Sequence, residues 1–462
     1  MEFIRSVLTP SDGATAPSGP NPTLRKVRSS VNLTHATLAP SQLMTSQQAV
    51  PQGPSSNIPT QFQAGSDVPM PGTSDEAQCF STMLPQKLVR FLSLSSFNTT
   101  ERDEAVNVCD SDFVRMNVLG IGSFGKVLLV KKKDSSRLFA MKIIKKSVLK
   151  ERMRARIRME RNVMALHRHP FIIKLHYAFQ EEDKLYFVMD YCKGGDLYYH
   201  LHPSRNSRRS TSSFSKFVIA QLALALGHLH NHGIVYRDLK PENVLFDDQG
   251  YIKLADFGLA KGGIWEPTRG TRSVCGSLHY MAPELLLMHE LGDDAEYGYA
   301  VDWWSLGVLL YEIFWGLPPW YCEKHDELVT MIKTIPLKIN LKLPAPTRSF
   351  MTDLLIKDPQ YRLGSAADVE EVKRHAYFER IDWQRLLAKQ YAPCFTPCAA
   401  GAPEECVQNF DESFTRMPVK SSGQESGMAP CSSIPPNLAD RLVHFDDFDF
   451  IINEEGTDTR AA

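Results

Sequence analysis

The run Tyr236-Arg237-Asp238-Leu239-Lys240-Pro241-Glu242-Asn243 puts a carboxylate, an ammonium and an amide in one short segment, and Asp256-Phe257-Gly258 follows shortly downstream. Phosphoryl transfer needs a residue that orients the attacking hydroxyl, ligands for a metal, and positive charge on the moving phosphate. Asp238 suits the first task. Asn243 and Asp256 are hard oxygen donors of the kind Mg²⁺ prefers. Lys240 would neutralise the γ-phosphate. Any one of these residues reads equally as part of a solvated loop of mixed charge; their joint spacing carries the assignment.

A second group lies upstream. Gly120-Ile121-Gly122-Ser123-Phe124-Gly125-Lys126-Val127 has three glycines spaced to turn tightly and to let backbone N–H groups approach phosphate. A dinucleotide site would need a helix directly after the glycines, whereas Val127-Leu128-Leu129-Val130 is strand-like. Ala140-Met141-Lys142 sits in the next apolar run, where a lysine is costly unless it is paired or reaches solvent. Glu160, in the charged segment that follows, is the candidate partner. Lys142 would then hold the α- and β-phosphates.

These groups need a scaffold. Strand–turn–strand is expected around Val118–Leu119 and Lys126–Val130, with further strands at Leu138–Ile144 and Leu185–Met189 and a helix from Lys150 to Leu166. After Cys192-Lys193-Gly194-Gly195 the pattern becomes helical. The expected fold is therefore α+β and bilobal, with a small antiparallel-sheet lobe (113–190) and a large helical lobe (193–378). Residues 1–108, rich in Pro, Ser, Thr, Gln and Asn, read as a mostly disordered arm with a short apolar segment near Leu88–Phe97. Residues 379–462 keep spaced aromatics and prolines without periodicity, as expected of a tail laid over a folded body.

Composition narrows the class. The 462 residues are 43% apolar and 23% charged, with a net charge of −1, so no global field favours nucleic acid or membrane. The longest apolar stretch, Phe217–Leu229, carries Gln221, Gly227 and His228 and reads as a buried helix rather than a membrane span. Nine scattered cysteines suit a reducing compartment. Cys394 and Cys398 have the nearest metal-type spacing but no partner pair. His228, His230 and His232 are read as helix-end residues, because a spacing of two turns side chains away from a common face.

Over residues 113–378 the chain resembles the eukaryotic protein kinases: glycine loop, strand lysine, helix glutamate, catalytic loop, Asp-Phe-Gly and Ala282-Pro283-Glu284 are all present. Asp302-Trp303-Trp304-Ser305-Leu306-Gly307 and Arg362 match the large-lobe pattern. The resemblance implies that Asp302 braces the catalytic loop and that Arg362 pairs with Glu284. It implies ATP and Mg²⁺ as cofactors. Adenine would lie against Ala140, Leu245 and Met189, with the Asp190–Cys192 backbone bonding the base. A pseudokinase-type scaffold is the rival, but no catalytic position is missing. A small-molecule kinase is disfavoured by the Ala-Pro-Glu segment and the long activation loop.

Tyr236 opening the catalytic loop, Ser273-Val274-Cys275-Gly276-Ser277, and the tail motifs Pro393–Pro397, Asn409-Phe410-Asp411 and Phe445-Asp446-Asp447-Phe448-Asp449-Phe450 resemble the AGC group of serine/threonine kinases, most of all its ribosomal protein S-six kinase branch. By that resemblance Ser273 is the activation-loop phosphosite, facing Arg237, with Thr271 and Ser277 as rival acceptors. Phe445, Phe448 and Phe450 dock in a small-lobe pocket, against the helix that carries Glu160. Asp449 takes the place of a phosphorylated residue, so docking is expected to be constitutive. Asp196, Glu242 and Glu312 match acids that face substrate arginines, and their bland reading is surface or helix-capping carboxylates. Ser421 is a weakly matched second phosphosite. The extra residues at 262–270 and 288–299, like the basic insertion at 205–213, receive no role. The expected partners are protein substrates and an upstream activating kinase, with no nucleic acid, no membrane span and a monomeric chain. The expected location is the cytoplasm, with the nucleus as a further compartment.

Overall fold

Three short-turned segments of β-branched and aromatic residues build the first half of a sheet. Phe113–Ile121 (β1), Gly125–Lys132 (β2) and Leu138–Lys145 (β3) pair antiparallel in sequence order. The computed structural model describes residues 108–122, 125–201, 212–292, 294–398, 401–419, 445 and 448–451. Residues 1–107 of the N-terminal arm, Ser421 and residues 205–211 of the basic insertion therefore lie outside the described residues, as do Ser123 and Phe124.

The helix Glu151–Leu166 (α1) follows, then Leu175–Gln180 (β4) and Lys184–Asp190 (β5). The six-stranded sheet runs β1-β2-β3-β5-β4-β8, where β8 is Phe450–Ile451 from the far end of the chain. Alternation sorts the strand residues to two faces. Leu129, Ala140, Leu185 and Phe187 join Ile157, Val163 and Met164 of α1 in the main core. Leu128, Val130, Met141, Tyr186 and Val188 form a second core on the opposite face, against which Phe414 and Val419 of the tail pack. Leu185–Met189 is apolar throughout because both of its faces are covered.

The large lobe contains Leu197–Leu201 (α2), Ser212–His230 (α3), the hairpin Val244–Phe246 (β6) and Ile252–Leu254 (β7), Pro283–Leu291 (α4), Ala300–Trp315 (α5), His325–Thr334 (α6), Ala345–Leu354 (α7), Asp368–Arg374 (α8) and Trp383–Leu387 (α9). α3 and α5 are buried on nearly every side, which matches their mostly apolar sequences. A Cβ on Gly307 would lie 2.9 Å from Leu354 and Leu355, so only glycine allows α5 to cross α7 this closely. Among the described residues, no helix is long and apolar enough to cross a membrane.

The tail runs back from the large lobe toward the small one. Tyr251 Oη donates to the carbonyl of Tyr391, and Phe395 packs edge-on against Phe214 and Phe246. Asn409 donates to the carbonyls of Lys193 and Pro397, and Tyr191 stacks on Phe410. The short helix Glu412–Thr415 (α10) then lies against β1.

Arg362 is 1% exposed, and its guanidinium pairs with Glu284 through Nη1–Oε1 at 2.6 Å and Nη2–Oε2 at 2.8 Å. The remaining N–H groups reach the carbonyls of Ile356, Ala300 and Lys357. All five donors are satisfied, which is what a buried guanidinium requires. Arg362→Met leaves Glu284 buried and unpaired, so urea denaturation should show a loss of about 3–5 kcal/mol, with a smaller loss when Glu284→Met is added. A loss under about 1 kcal/mol in the single variant would mean the pair does not hold α4 in place.

Candidate active site

β3 places Lys142 between Val127 of β2 and Phe187 of β5, with its side chain turned into the space below the sheet. Its Nζ donates to Glu160 Oε1 at 2.5 Å and lies 3.4 Å from Asp256 Oδ1. Burial works against the ammonium, but the carboxylates of Asp256 and Glu160 more than reverse that, and the Lys142 pKa is held above its ordinary value. Above it, a Cβ on Gly120 would meet nothing within 4 Å and one on Gly122 only the Gly125 carbonyl at 3.9 Å. The loop therefore roofs open space. Gly125 is glycine for another reason, since a Cβ there would lie 1.7 Å from the Ile143 carbonyl on β3.

The floor of the cleft is the catalytic loop, held by Asp302 at the start of α5. This fully buried carboxylate accepts from the backbone N–H of Tyr236 and of Arg237, each at 2.8 Å, and from His230 Nε2 at 2.9 Å. Arg237 adopts φ +69°, a conformation that costs a non-glycine residue about 1–3 kcal/mol unless its surroundings enforce it. His230 Nδ1 also faces Asp368 at 2.9 Å. Burial opposes the imidazolium, but Asp368 and Asp302 more than compensate, raising its pKa to about 9.

Beyond the strained residue, Asp238 receives Lys240 Nζ at 2.7 Å, Ser277 Oγ at 2.9 Å and Asn243 Nδ2 at 3.1 Å. Burial raises its carboxyl above the ordinary range, while Lys240 and Ser277 pull it back. Asp256, at φ +58° and with a side chain 52% exposed, opens into the cleft. Lys142 holds its carboxyl below the ordinary range against the effect of burial, and Lys240 helps. Asn243 spends its amide N–H groups on the carbonyl and carboxylate of Asp238, leaving the lone pairs of its side-chain oxygen for a metal ion. Asp238, Lys240 and Asn243 therefore meet on the floor, and Asp256 joins them to the Lys142–Glu160 pair on the wall.

The wall behind is Met189, paired in register with Ala140, and Leu245 lies on β6 below. The Asp190 side chain is taken up by His176, Lys253 and the Lys174 N–H, and Cys192 is buried. That leaves the hinge backbone as the polar edge next to Met189.

In the activation segment, Arg237 Nη1 donates to Ser273 Oγ at 2.8 Å and to Tyr297 Oη at 3.0 Å. Lys261 Nζ reaches Thr271 Oγ1 at 2.8 Å, and that hydroxyl lies 3.2 Å from Ser273 Oγ. Thr271 is buried. Sequence reasoning missed Tyr297 and Lys261, and it left unexplained the insertions at 262–270 and 288–299, the second of which carries Tyr297. The insertions interlock: Tyr299 and Ala300 N–H groups donate to the carbonyls of Glu266 and Pro267, and Thr271 bridges Tyr297. Trp265 packs on Gly233, where a Cβ would lie 2.6 Å from the ring. The only earlier signal was their common departure from the family pattern.

The three expected specificity acids differ. Asp196 is half-buried and accepts from the Tyr199 N–H at 2.6 Å at the start of α2, so its bland helix-capping reading is met. Glu242 Oε2 is buried without a hydrogen-bond partner. Glu312 corrects the expectation of a substrate-facing acid: it is 1% exposed and accepts from Tyr280 Oη inside the lobe. The histidine expectation is also corrected in part. His230 does point away, into the Asp302–Asp368 pair, but His228 and His232 are four residues apart and converge with His167.

At the far edge of the sheet, β8 adds to β4 with Ala178 opposite Phe450. Gln180 clamps the Phe445 backbone, donating from Nε2 to its carbonyl at 2.8 Å and accepting its N–H at 3.0 Å. Phe445, Phe448 and Phe450 are buried, and Phe448 meets Phe187 edge-on at 5.2 Å. The expected docking on the α1 helix is thus refined: the hydrogen bonds are with the sheet edge, and α1 shares the hydrophobic core beneath. Lys146 donates to the same Gln180. Burial lowers the Lys146 pKa, with Asp183 and Asp449 acting the other way, so Asp449 sits within reach of that charge.

Residues 113–378 match the family model for the protein kinase domain. The chain is 44% identical over 314 residues to serine/threonine-protein kinase Sgk1 of Fundulus heteroclitus, covering 68% of this chain and 70% of that one. It is 43% identical over 326 residues to Sgk1 of Danio rerio, covering 70% and 72%. It is also 44% identical over 316 residues to ribosomal protein S6 kinase alpha-3 of Mus musculus, covering 68% of this chain and 41% of that one.

The Ser277 hydroxyl donates to the ionised form of Asp238, so removing it favours protonation. In Ser277→Ala the acid limb of the pH–rate profile should move to higher pH by roughly 0.5–1 unit. An unmoved limb would detach the observed titration from Asp238.

Proposed function

The chain belongs to the protein kinase family, in the AGC group of serine/threonine kinases close to the S6 kinase branch, and we propose that the cleft residues described above carry its reaction. It is an ATP-dependent protein serine/threonine kinase of signalling. The finer reading rests on one observation: Asp238, Asn243 and Asp256 converge opposite the Lys142–Glu160 pair.

In that reading Asp238 orients the substrate hydroxyl and takes up its proton, and Lys240 steadies the transferred phosphoryl group. Lys142, positioned by Glu160, binds the α- and β-phosphates beneath the open glycine loop. The oxygens of Asn243 and Asp256 fit Mg²⁺, which when bound would neutralise charge on the triphosphate. Adenine stacks between Ala140 and Leu245 with Met189 behind it. Every catalytic position is filled, which argues against a scaffold without activity.

Substrate preference follows from Glu242. A buried carboxylate oxygen without a partner is costly, and an arginine of the bound peptide would satisfy it by a charge-assisted pair. Asp196, beside the same cleft through its bridge to Leu245, adds to the acidic side. We place the preferred arginine three residues before the acceptor. Labelling by γ-phosphate of a peptide with that arginine should exceed labelling of its alanine counterpart by at least about tenfold, and Asp256→Ala should abolish both. Equal labelling of the two peptides would remove the basic preference. Labelling undiminished in Asp256→Ala would remove the site assignment.

Regulation is proposed at two points. A phosphate on Ser273 adds about −1.5 to −2 charges beside Arg237, which bonds the Ser273 hydroxyl, and Lys261, which bonds the adjacent Thr271 hydroxyl. An upstream kinase would supply it, tightening the segment next to Asp238. The docked tail needs no such switch, because Asp449 places a carboxyl group near Lys146 without any modification. Ser273→Ala should lower turnover several-fold. Asp449→Ala should lower turnover and expose the tail to protease. Loss of neither activity nor protection in Asp449→Ala would refute constitutive docking. The chain is taken to act as a monomer in the cytoplasm and nucleus, a reading that the free thiols of its described cysteines support.

A further inference from the structure

α1, the helix that carries Glu160, ends at His167, whose N–H closes the last turn on the Val163 carbonyl at 3.1 Å. α3 ends on the opposite side of the lobe boundary with His228 and, in the following turn, His232. A four-residue spacing stacks these two side chains on one face. The His228 and His232 rings are 4.5 Å apart and the His167 and His232 rings 4.6 Å apart. One ring nitrogen of each of the three lies within 4.8 Å of the others.

The hydrogen bonds prepare these rings as ligands. His232 Nδ1 lies 2.7 Å from the His228 carbonyl, which only accepts, so Nδ1 carries the proton and the lone pair is on Nε2. His228 Nε2 is buried and has no hydrogen-bond partner. A buried polar atom left in this state is destabilising unless something binds it. Burial and the neighbouring imidazoles lower the pKa of both His167 and His228 to about 4. Both rings are therefore neutral at physiological pH, the form that binds metal. His169 stacks on His228 at 5.0 Å, but its Nδ1 is occupied by the Phe171 N–H.

We propose that His167, His228 and His232 bind a zinc-class divalent cation that clips the end of α1 to the end of α3. The donors are imidazole nitrogens, which suit Zn²⁺ and its later first-row neighbours and not Mg²⁺ or Ca²⁺. Zn–N bonds of about 2.0–2.1 Å put tetrahedral ligand nitrogens roughly 3.3 Å apart, so a pair of nitrogens 4.8 Å apart needs to close by about 1.5 Å. His232 is exposed, which gives an ion a way in and leaves the fourth position to water. The clip would restrain the helix that sets Glu160 against Lys142, seven residues before His167. It does not depend on the phosphoryl-transfer reading, and binding is read without nucleotide.

The test uses the full chain, stripped with chelator and titrated with Zn²⁺ by calorimetry, with Co²⁺ as a spectroscopic probe. One Zn²⁺ per chain should bind and raise the melting temperature. His232→Ala, in an exposed turn that tolerates the change, and His167→Ala should each weaken binding by roughly 100-fold or more and remove the thermal shift. Co²⁺ should give a tetrahedral nitrogen-ligand spectrum without a sulfur charge-transfer band. No binding at micromolar Zn²⁺, affinity unchanged in both variants, or a sulfur band marking cysteine ligands would each overturn the site.

Discussion

A carboxylate with no access to water governs the catalytic loop. Asp302 binds two consecutive backbone N–H groups, and those bonds hold Arg237 in a left-handed conformation that its side chain disfavours. The turn reverses the chain between Tyr236 and Asp238, so that Tyr236 enters the core and Asp238 faces the cleft. His230, with a pKa raised to about 9, sets a countercharge 2.9 Å from Asp302 in a dry site. Moving Asp302 would displace Asp238 and disturb the bonds that Asp238 makes with Lys240 and Asn243.

The two lobes share one continuous apolar core behind the cleft, Lys142 reaches Asp256 across it, and the chain adds ties outside it. The tail crosses the hinge, stacks Phe410 on Tyr191, covers the outer face of the small-lobe sheet with Phe414, and finishes as a strand on its far edge. Without that covering, Leu128, Val130, Met141 and Val188 would form an exposed apolar face. The tail is thus part of the small-lobe core as well as a candidate regulator of it. The insertions at 262–270 and 288–299 act in a comparable way on the large lobe. They bridge one another and bring Tyr297 against the Ser273 carbonyl, where it also accepts from Arg237, so the two side chains brace the activation segment together.

Much of the cleft was legible in the sequence, because its chemistry demands particular residue types at short spacings. Asp238, Lys240 and Asn243 occupy one loop, and a glycine triplet followed by strand-forming residues has few alternative uses. The Glu284–Arg362 pair also followed from the family pattern, and it is present. Glu312 was misjudged, since a motif position carries no information on depth: it lies at the same place in the pattern, yet under Tyr280. The histidines were misjudged for a related reason. Spacing along one helix separates His230 from its neighbours, but the third member of the cluster comes from α1, far away in sequence.

What the sequence determined by itself is therefore local: which segments form strands or helices, which loop holds the reacting groups, and the α+β bilobal class. Periodicity and short motifs are properties of neighbours in the chain, and they survive without any knowledge of packing. Only the tertiary structure decided which face of Leu185–Met189 the tail covers, which insertion meets which, and which buried atoms, such as Glu242 Oε2 and His228 Nε2, are left without a partner. Each of those depends on contacts between residues tens to hundreds of positions apart. Their pairing is set by shape and exclusion of water, neither of which a linear pattern records.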